Sequence, residues 1–217
     1  MRGGLLVLLV ASFVLYYPLN HATADLHNLR TPIDEALPLV PVFSVPYLLH
    51  LPVLVGSLLY FLFAYPDIFR RIAPAFVLAN VAAALVFAFA QTVVLRPVIS
   101  GTDFFSDLVR FVYASDNPYN DWPSLHTAHA ALYTSGWFMV NRRAGLIALS
   151  FAVTVMAATV LIKQHYIADV VGGLLFAAGS LSLSDLLVRF APPRGPGQRG
   201  LRPASRVGTG QRGQRKW

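Results

Sequence analysis

The amino-acid sequence predicts an all-α integral membrane protein, a bundle of six transmembrane helices with both termini in the cytoplasm. Three observations carry that expectation. Hydrophobic residues make up 56% of the 217-residue chain and fall in long blocks rather than stripes. Charged residues are only 12%, where a soluble domain carries about 25%. Arg2, the pairs Arg70-Arg71 and Arg142-Arg143, and the basic C-terminal tail all fall on one side of a six-span arrangement, which the positive-inside tendency makes cytoplasmic.

The blocks follow in order. The first is Leu5–Tyr17, after Arg2. The second is Val45–Tyr65, the third Ile72–Leu95, the fourth Ser124–Val140, the fifth Ala144–Ile162 and the sixth Ile167–Val188. A spanning helix needs about 20 apolar residues, roughly 17–25, so the first block is short. Its basic start, its apolar run and the Ala22-Thr23-Ala24 triplet also fit a cleavable signal peptide. Either reading puts the next segment outside and leaves the remaining topology unchanged.

Arg2, Arg70-Arg71, Arg142-Arg143 and the basic tail share the cytoplasmic side. The opposite side receives Asn20–Ser44, Arg96–Pro123 and the turn at Lys163–Tyr166. These segments hold seven of the ten acids (Asp25, Asp34, Glu35, Asp103, Asp107, Asp116 and Asp121). Polar chemistry therefore gathers on the extracytoplasmic face of what reads as a bacterial-type plasma membrane protein.

Net charge is +7, which raises nucleic acid as a partner; its distribution argues against that. Eight basic residues and no acids lie between Arg189 and Trp217, and the other nine face ten acids. The basicity belongs to a tail rich in Pro, Gly, Arg and Gln. Such a segment buries too little apolar surface to offset its ordering entropy and is expected to be disordered. Two regions result: a membrane domain over 1–188 and a basic cytoplasmic tail over 189–217. The tail serves as an orientation signal or, alternatively, a ligand for anionic headgroups. The chain has no cysteine, which removes disulfides and thiolate zinc sites.

Three stretches sit where apolar blocks meet the outer surface, where ionisable residues are costly and often functional. His165 and Asp169 are spaced i,i+4 and share a helix face. The carboxylate can accept the imidazole Nδ1–H and leave Nε2 as a nucleophile; an incidental pair at a helix start is the plainer alternative. His126 follows Pro123 and Ser124 at the start of the fourth block. Free amides there attract an anion, the Ser124 hydroxyl adds a donor, and a histidine beside phosphate can protonate a leaving oxygen. A structural histidine at a helix end is its alternative, and His129, one turn on, reads as packing or support. Arg96, before Pro97, can grip two phosphate oxygens or snorkel as an interfacial anchor. Lys163 reads equally as anchor or phosphate ligand. In-line phosphoryl transfer needs a nucleophile, an acid and donors around the equatorial oxygens. His165, His126 and the set Arg96, Ser124 and Lys163 could supply all three.

At these residues the sequence resembles the type 2 phosphatidic acid phosphatase superfamily, which includes vanadium haloperoxidases. Arg96-Pro97 is similar to the end of that family's first motif. Pro123-Ser124-x-His126 is similar to its second, and His165-x-x-x-Asp169 to its third. The departures are specific. Phe89 stands at the first-motif Lys, Leu125 at the second-motif Gly, and Ala158-Thr159 at the third-motif Ser-Arg, so two expected cations are missing. Pro123-Ser124-Leu125-His126 and His165-Tyr166-x-x-Asp169, followed by Gly172-Gly173, resemble the inositol phosphorylceramide synthase-like branch.

The resemblance implies a lipid phosphatase or phosphotransferase with a histidine nucleophile. Its partners would be a phosphorylated membrane lipid and the bilayer. The acceptor would be water, or an alcohol such as inositol or a lipid hydroxyl. No cofactor and no metal are expected, since the candidate site offers cationic and neutral donors rather than a carboxylate cluster suited to magnesium. Other classes fit less of the pattern. Zinc on His126, His129, His165 and Asp169 leaves Arg96 and Ser124 without a role. A serine protease lacks the Gly-x-Ser-x-Gly elbow. A non-catalytic scaffold or transporter predicts that both histidines are dispensable.

Overall fold

The protein is all-helical in the computed structural model, which describes residues 2–21 and 25–190. The Ala22-Thr23-Ala24 triplet and the basic tail beyond 190 lie outside the described residues. In chain order the helices are α1 (Arg2–Val14), α2 (Tyr16–Leu19), α3 (Pro32–Ala36), α4 (Ser44–Ala64), α5 (Pro66–Phe89), α6 (Phe104–Ser115), α7 (Leu125–Val140), α8 (Arg142–Leu161) and α9 (Ile167–Phe190). Among the described residues, strand pairing is limited to two isolated bridges, His27 to Thr92 and Val93 to Tyr119.

Four helical stretches are long and apolar enough to cross a membrane: Pro41–Ala64, Pro66–Phe89, Arg142–Leu161 and Ile167–Leu187. The first apolar block forms the shorter Gly3–Leu19 stretch, broken between α1 and α2. The fourth block forms α7, whose 16 residues rise about 24 Å at 1.5 Å each.

Helix α7 is the centre of the bundle and packs against α4, α5, α8 and α9. Small residues allow this closeness. Ala73, Ala75, Ala79, Ala128, Ala130 and Ala152 have no exposed surface, and Gly136 of α7 faces Phe61 and Ile72. Where the surroundings are as apolar as the core, close packing rather than water exclusion holds helices together. Phe61, Phe69, Phe76 and Tyr133 fill the space between. At the far end from the polar loops, Arg71 donates from Nε and Nη2 to both carboxylate oxygens of Asp185, at 2.7 and 2.9 Å, tying α5 to α9.

Helix α5 begins at Pro66, six residues before the expected block, and two further features differ from the sequence expectation. The third block was expected to run to Leu95, but α5 ends at Phe89. Gln91 and Thr92 turn inward instead. The Gln91 amide donates to the carbonyls of Leu19 and His21, and Thr92 Oγ1 accepts from the amides of Asp121 and Trp122. These bonds to neighbouring loops replace the helical ladder and leave 91–97 extended, with Arg96 inside it. The second difference is α6, an amphipathic helix within the expected 96–123 loop. Asp103 caps it by accepting from the amides of Phe105 and Ser106, and Val109 and Val112 bury its inner face.

Candidate active site

The second and third motifs meet because α9 carries glycine where it crosses the start of α7. A Cβ on Gly173 would lie 2.4 Å from the Ser124 carbonyl oxygen, and one on Gly172 would lie 2.4 Å from Trp122 Nε1. The Ser124 amide donates to the Asp169 carbonyl at 3.0 Å. The Ser124 side chain caps α7 by accepting from the Thr127 amide at 3.3 Å, in the N-cap role its hydroxyl suits. Ser124 is fully buried. The first-turn amides of α7, which a helix leaves without internal partners, begin at Leu125 and His126.

The turn before α9 delivers His165. Lys163 adopts φ 58°, and the amides of Gln164 and His165 both donate to the Thr159 carbonyl, at 2.9 and 3.0 Å. This left-handed closure satisfies the end of α8 and folds His165 back toward α7. The rings of His126 and His165 lie edge to face with centroids 5.6 Å apart. His165 Nδ1 is 3.5 Å from Asp169 Oδ2, longer than a closed hydrogen bond. That oxygen accepts from the Tyr166 amide at 2.7 Å. Nδ1 and Oδ2 thus stand within reach of each other without a closed hydrogen bond.

Both histidines border a cavity of about 570 Å³, which Gln164, Asp121 and a wall of leucines from α1 and α4 also line. His129 Nε2 is 2.7 Å from Asn80 Oδ1 and its ring packs on Phe13 and Phe76, which fits a supporting role. Burial and the neighbouring Asp169 push the Asp121 carboxyl well above the usual carboxylate range.

The basic residues take different positions. The four hydrogens on the Arg96 Nη atoms reach the carbonyls of Tyr113, Asp116 and Asn117 at the end of α6, and Gln164 Oε1 at 2.6 Å. Its guanidinium also lies 4.8 Å from the Tyr113 ring. Arg96 thus caps the negative end of α6 one residue behind the cavity, with Gln164 between. Lys163 Nζ donates to the carbonyls of Asp34 and Leu37, at 2.9 and 2.7 Å, and so ties the 31–37 segment to the turn. Phe89, at the position of the family's first-motif Lys, is 86% exposed on the outside of the bundle. Thr159, at the third-motif Arg, is buried and contributes its carbonyl to the turn.

Two residues with no role of their own in the sequence reading hold the site together. Tyr166 accepts at its hydroxyl from the Leu95 amide, 2.9 Å away, which pins the segment bearing Arg96. Gln164 is buried, and its Nε2 has no partner among the described residues. Both belong to motif stretches marked in the sequence for His165 and Asp169, Tyr166 within His165-Tyr166-x-x-Asp169.

A profile of the PAP2 superfamily matches residues 26–183. No curated protein matches the chain, and no solved structure does. The matched stretch covers more than half of the chain and spans Arg96, Ser124, His126, His165 and Asp169, so the chain belongs to the PAP2 superfamily.

Proposed function

We propose that this protein is a membrane enzyme that transfers a phosphoryl group from a lipid phosphate through His165. The observation that carries the reading is the pair His126 and His165, with ring centroids 5.6 Å apart, bordering a cavity that also has a wall of leucines from α1 and α4. A phosphate beside the pair sets its ester chain along the apolar wall.

In this reading His165 Nε2 attacks phosphorus while Asp169 closes on Nδ1 and stabilises the imidazolium. The P–O bond to the lipid breaks, and protonated His126 gives its proton to the leaving oxygen. An acceptor hydroxyl then attacks the phosphohistidine, yielding its proton to His126, and the P–N bond breaks. The α7 amides at Leu125 and His126 and the Gln164 Nε2 donor face the equatorial oxygens. Arg96 positions Gln164 and adds its charge from behind. Ser124 holds α7 in place, and Lys163, expected from the sequence as anchor or phosphate ligand, holds the 31–37 segment against the turn that carries His165. A water acceptor makes the enzyme a lipid phosphatase. An alcohol such as inositol or a lipid hydroxyl makes it a phosphotransferase, as the Pro-Ser-Leu-His and His-Tyr-x-x-Asp forms suggest. The α1–α2 stretch and α7 complete six spans, with both termini cytoplasmic and the site on the extracytoplasmic side.

The test is covalent labelling. Purified protein in chelator, given a phosphorus-labelled lipid phosphate, should acquire acid-labile phosphate. His165→Ala should lose both label and turnover. His126→Ala should slow turnover strongly, and less with a nitrophenol leaving group. Label retained in His165→Ala but lost in His126→Ala would reverse the two roles. Full activity in both variants would sink the enzymatic reading.

A further inference from the structure

The cavity contains a second polar group that phosphoryl transfer does not use. His50, in the first half of α4, is 3% exposed, and neither Nδ1 nor Nε2 has a partner among the described residues. Its ring lies 5.2 Å from that of His126 and 5.9 Å from that of Tyr133, and it borders the cavity. The contrast with His129 is informative. That ring stacks parallel to His50 at 6.5 Å, but its Nε2 is tied to Asn80, whose Nδ2 donates to Ser12 Oγ at 3.0 Å. The fold therefore satisfies one deep histidine and leaves the adjacent one open toward the cavity. Burying unpaired imidazole nitrogens is costly, unless an occupant supplies the missing bonds.

The surroundings say what kind of occupant. His50, Leu54, Leu58 and Leu62 are spaced four residues apart, so they form one row along α4, and all border the cavity. Twelve residues of helix carry that row about 18 Å, enough for a long acyl chain. Beside it Leu51, Val55 and Leu59 are 46–61% exposed, so the cavity is open along its flank. His50 stands at the junction between the histidine pair and this apolar row.

We propose that His50 recognises a hydrogen-bonding group on the backbone of the lipid, an ester carbonyl or a hydroxyl, seated between the phosphate and the acyl chain. The proposal rests on the reading of His126 and His165 as the phosphate end. A neutral imidazole has one donor and one acceptor, so a hydroxyl satisfies both and a carbonyl only the donor. A site built to hydrogen-bond a substrate group strongly rejects an analogue that lacks it.

The experiment compares three monophosphates of equal chain length on the full chain in micelles. A lysophosphatidate offers ester and hydroxyl, its ether analogue offers the hydroxyl without the carbonyl, and an alkyl phosphate offers neither. The wild type should prefer the first or the first two over the alkyl phosphate by roughly 10- to 100-fold in kcat/KM, the scale of one buried polar group left unpaired. Loss of preference for the ether analogue assigns the carbonyl; retention assigns the hydroxyl. His50→Phe should bring the ratio close to one, whereas His50→Gln, which keeps a donor and an acceptor, should preserve most of it. The same ratios are read without turnover, from the rise in unfolding temperature produced by non-hydrolysable phosphonate analogues. If no lipid phosphate is turned over, the enzymatic reading fails alone and the binding arm still decides His50. A wild type that binds all three equally, or a His50→Phe that weakens all three by one factor, would overturn the assignment.

Discussion

Arg96 Nη2 donates to Gln164 Oε1 at 2.6 Å, and this bond orients the Gln164 amide so that its Nε2 has no protein partner beside the cavity. A guanidinium can only donate, so it fixes which end of the amide it faces. In the proposed mechanism the donor for phosphate is Gln164, with Arg96 acting through it.

Gln164→Leu should therefore lower kcat/KM for a lipid phosphate by about 100-fold, the scale of losing one aligned donor to a developing charge. Arg96→Gln should lower it too, and in the double variant the two losses should fall well short of additive. Steady-state kinetics on the three variants decides this. Fully additive effects would mean that Arg96 reaches the phosphate independently.

Gly173→Ala should separate the motifs. Its Cβ would meet the Ser124 carbonyl at 2.4 Å and Thr127 Cβ at 2.8 Å, both parts of the α7 start that cannot swing away. The variant should unfold at a lower temperature and lose most activity. Gly179→Ala in the same helix has no atom within 4 Å and should gain up to about 1 kcal/mol from helix propensity. Thermal unfolding in one detergent compares the two. Equal behaviour would mean that the α7–α9 crossing does not depend on this close approach.

The contrast between these glycines shows what was legible in the sequence. Hydrophobic blocks located α4, α7, α8 and α9 closely, because apolar length and breaking residues act locally. The i,i+4 spacing of His165 and Asp169 also survives into a 3.5 Å approach. The directions of Arg96 and Lys163 were not legible. Each is set by carbonyls from segments distant in sequence, at Tyr113–Asn117 and at Asp34–Leu37. The early end of α5 was hidden for the same reason, since Gln91 and Thr92 leave the helix for loop partners. His50 carries no spacing signal in its apolar run, and only the packing of the bundle brings it to His126.

Lys163 offers a direct check on that lesson. Its two carbonyl bonds tether the segment that also carries Asp34, whose Oδ1 accepts from the Ile167 amide at 2.9 Å. Lys163→Met should loosen residues 31–37, visible as faster amide hydrogen exchange there, and destabilise the protein by about 1–2 kcal/mol. Inhibition by inorganic phosphate should change little. Exchange unaltered, with phosphate affinity lost, would assign the ammonium to the ligand instead.

The last prediction follows from Asp121, which is 4% exposed and has an unpartnered Oδ2. Burial, then the charge of Asp169, raises its carboxyl well above the ordinary value of 3.8, although Arg96 opposes them. The sign is fixed by linkage. The unfolded chain releases this proton first, so stability from this group falls as pH rises from 3.8 toward the folded value. Below 3.8 both states are protonated and the penalty is absent. Asp121→Asn keeps the shape, removes the ionisation, and should unfold at a higher temperature than the wild type at neutral pH. The gap should narrow as pH falls and close near 3.8, when unfolding is followed across pH in one detergent. A variant less stable than the wild type at neutral pH, with the gap closing only in acid, would show instead that the ionised carboxylate is the stabilising form.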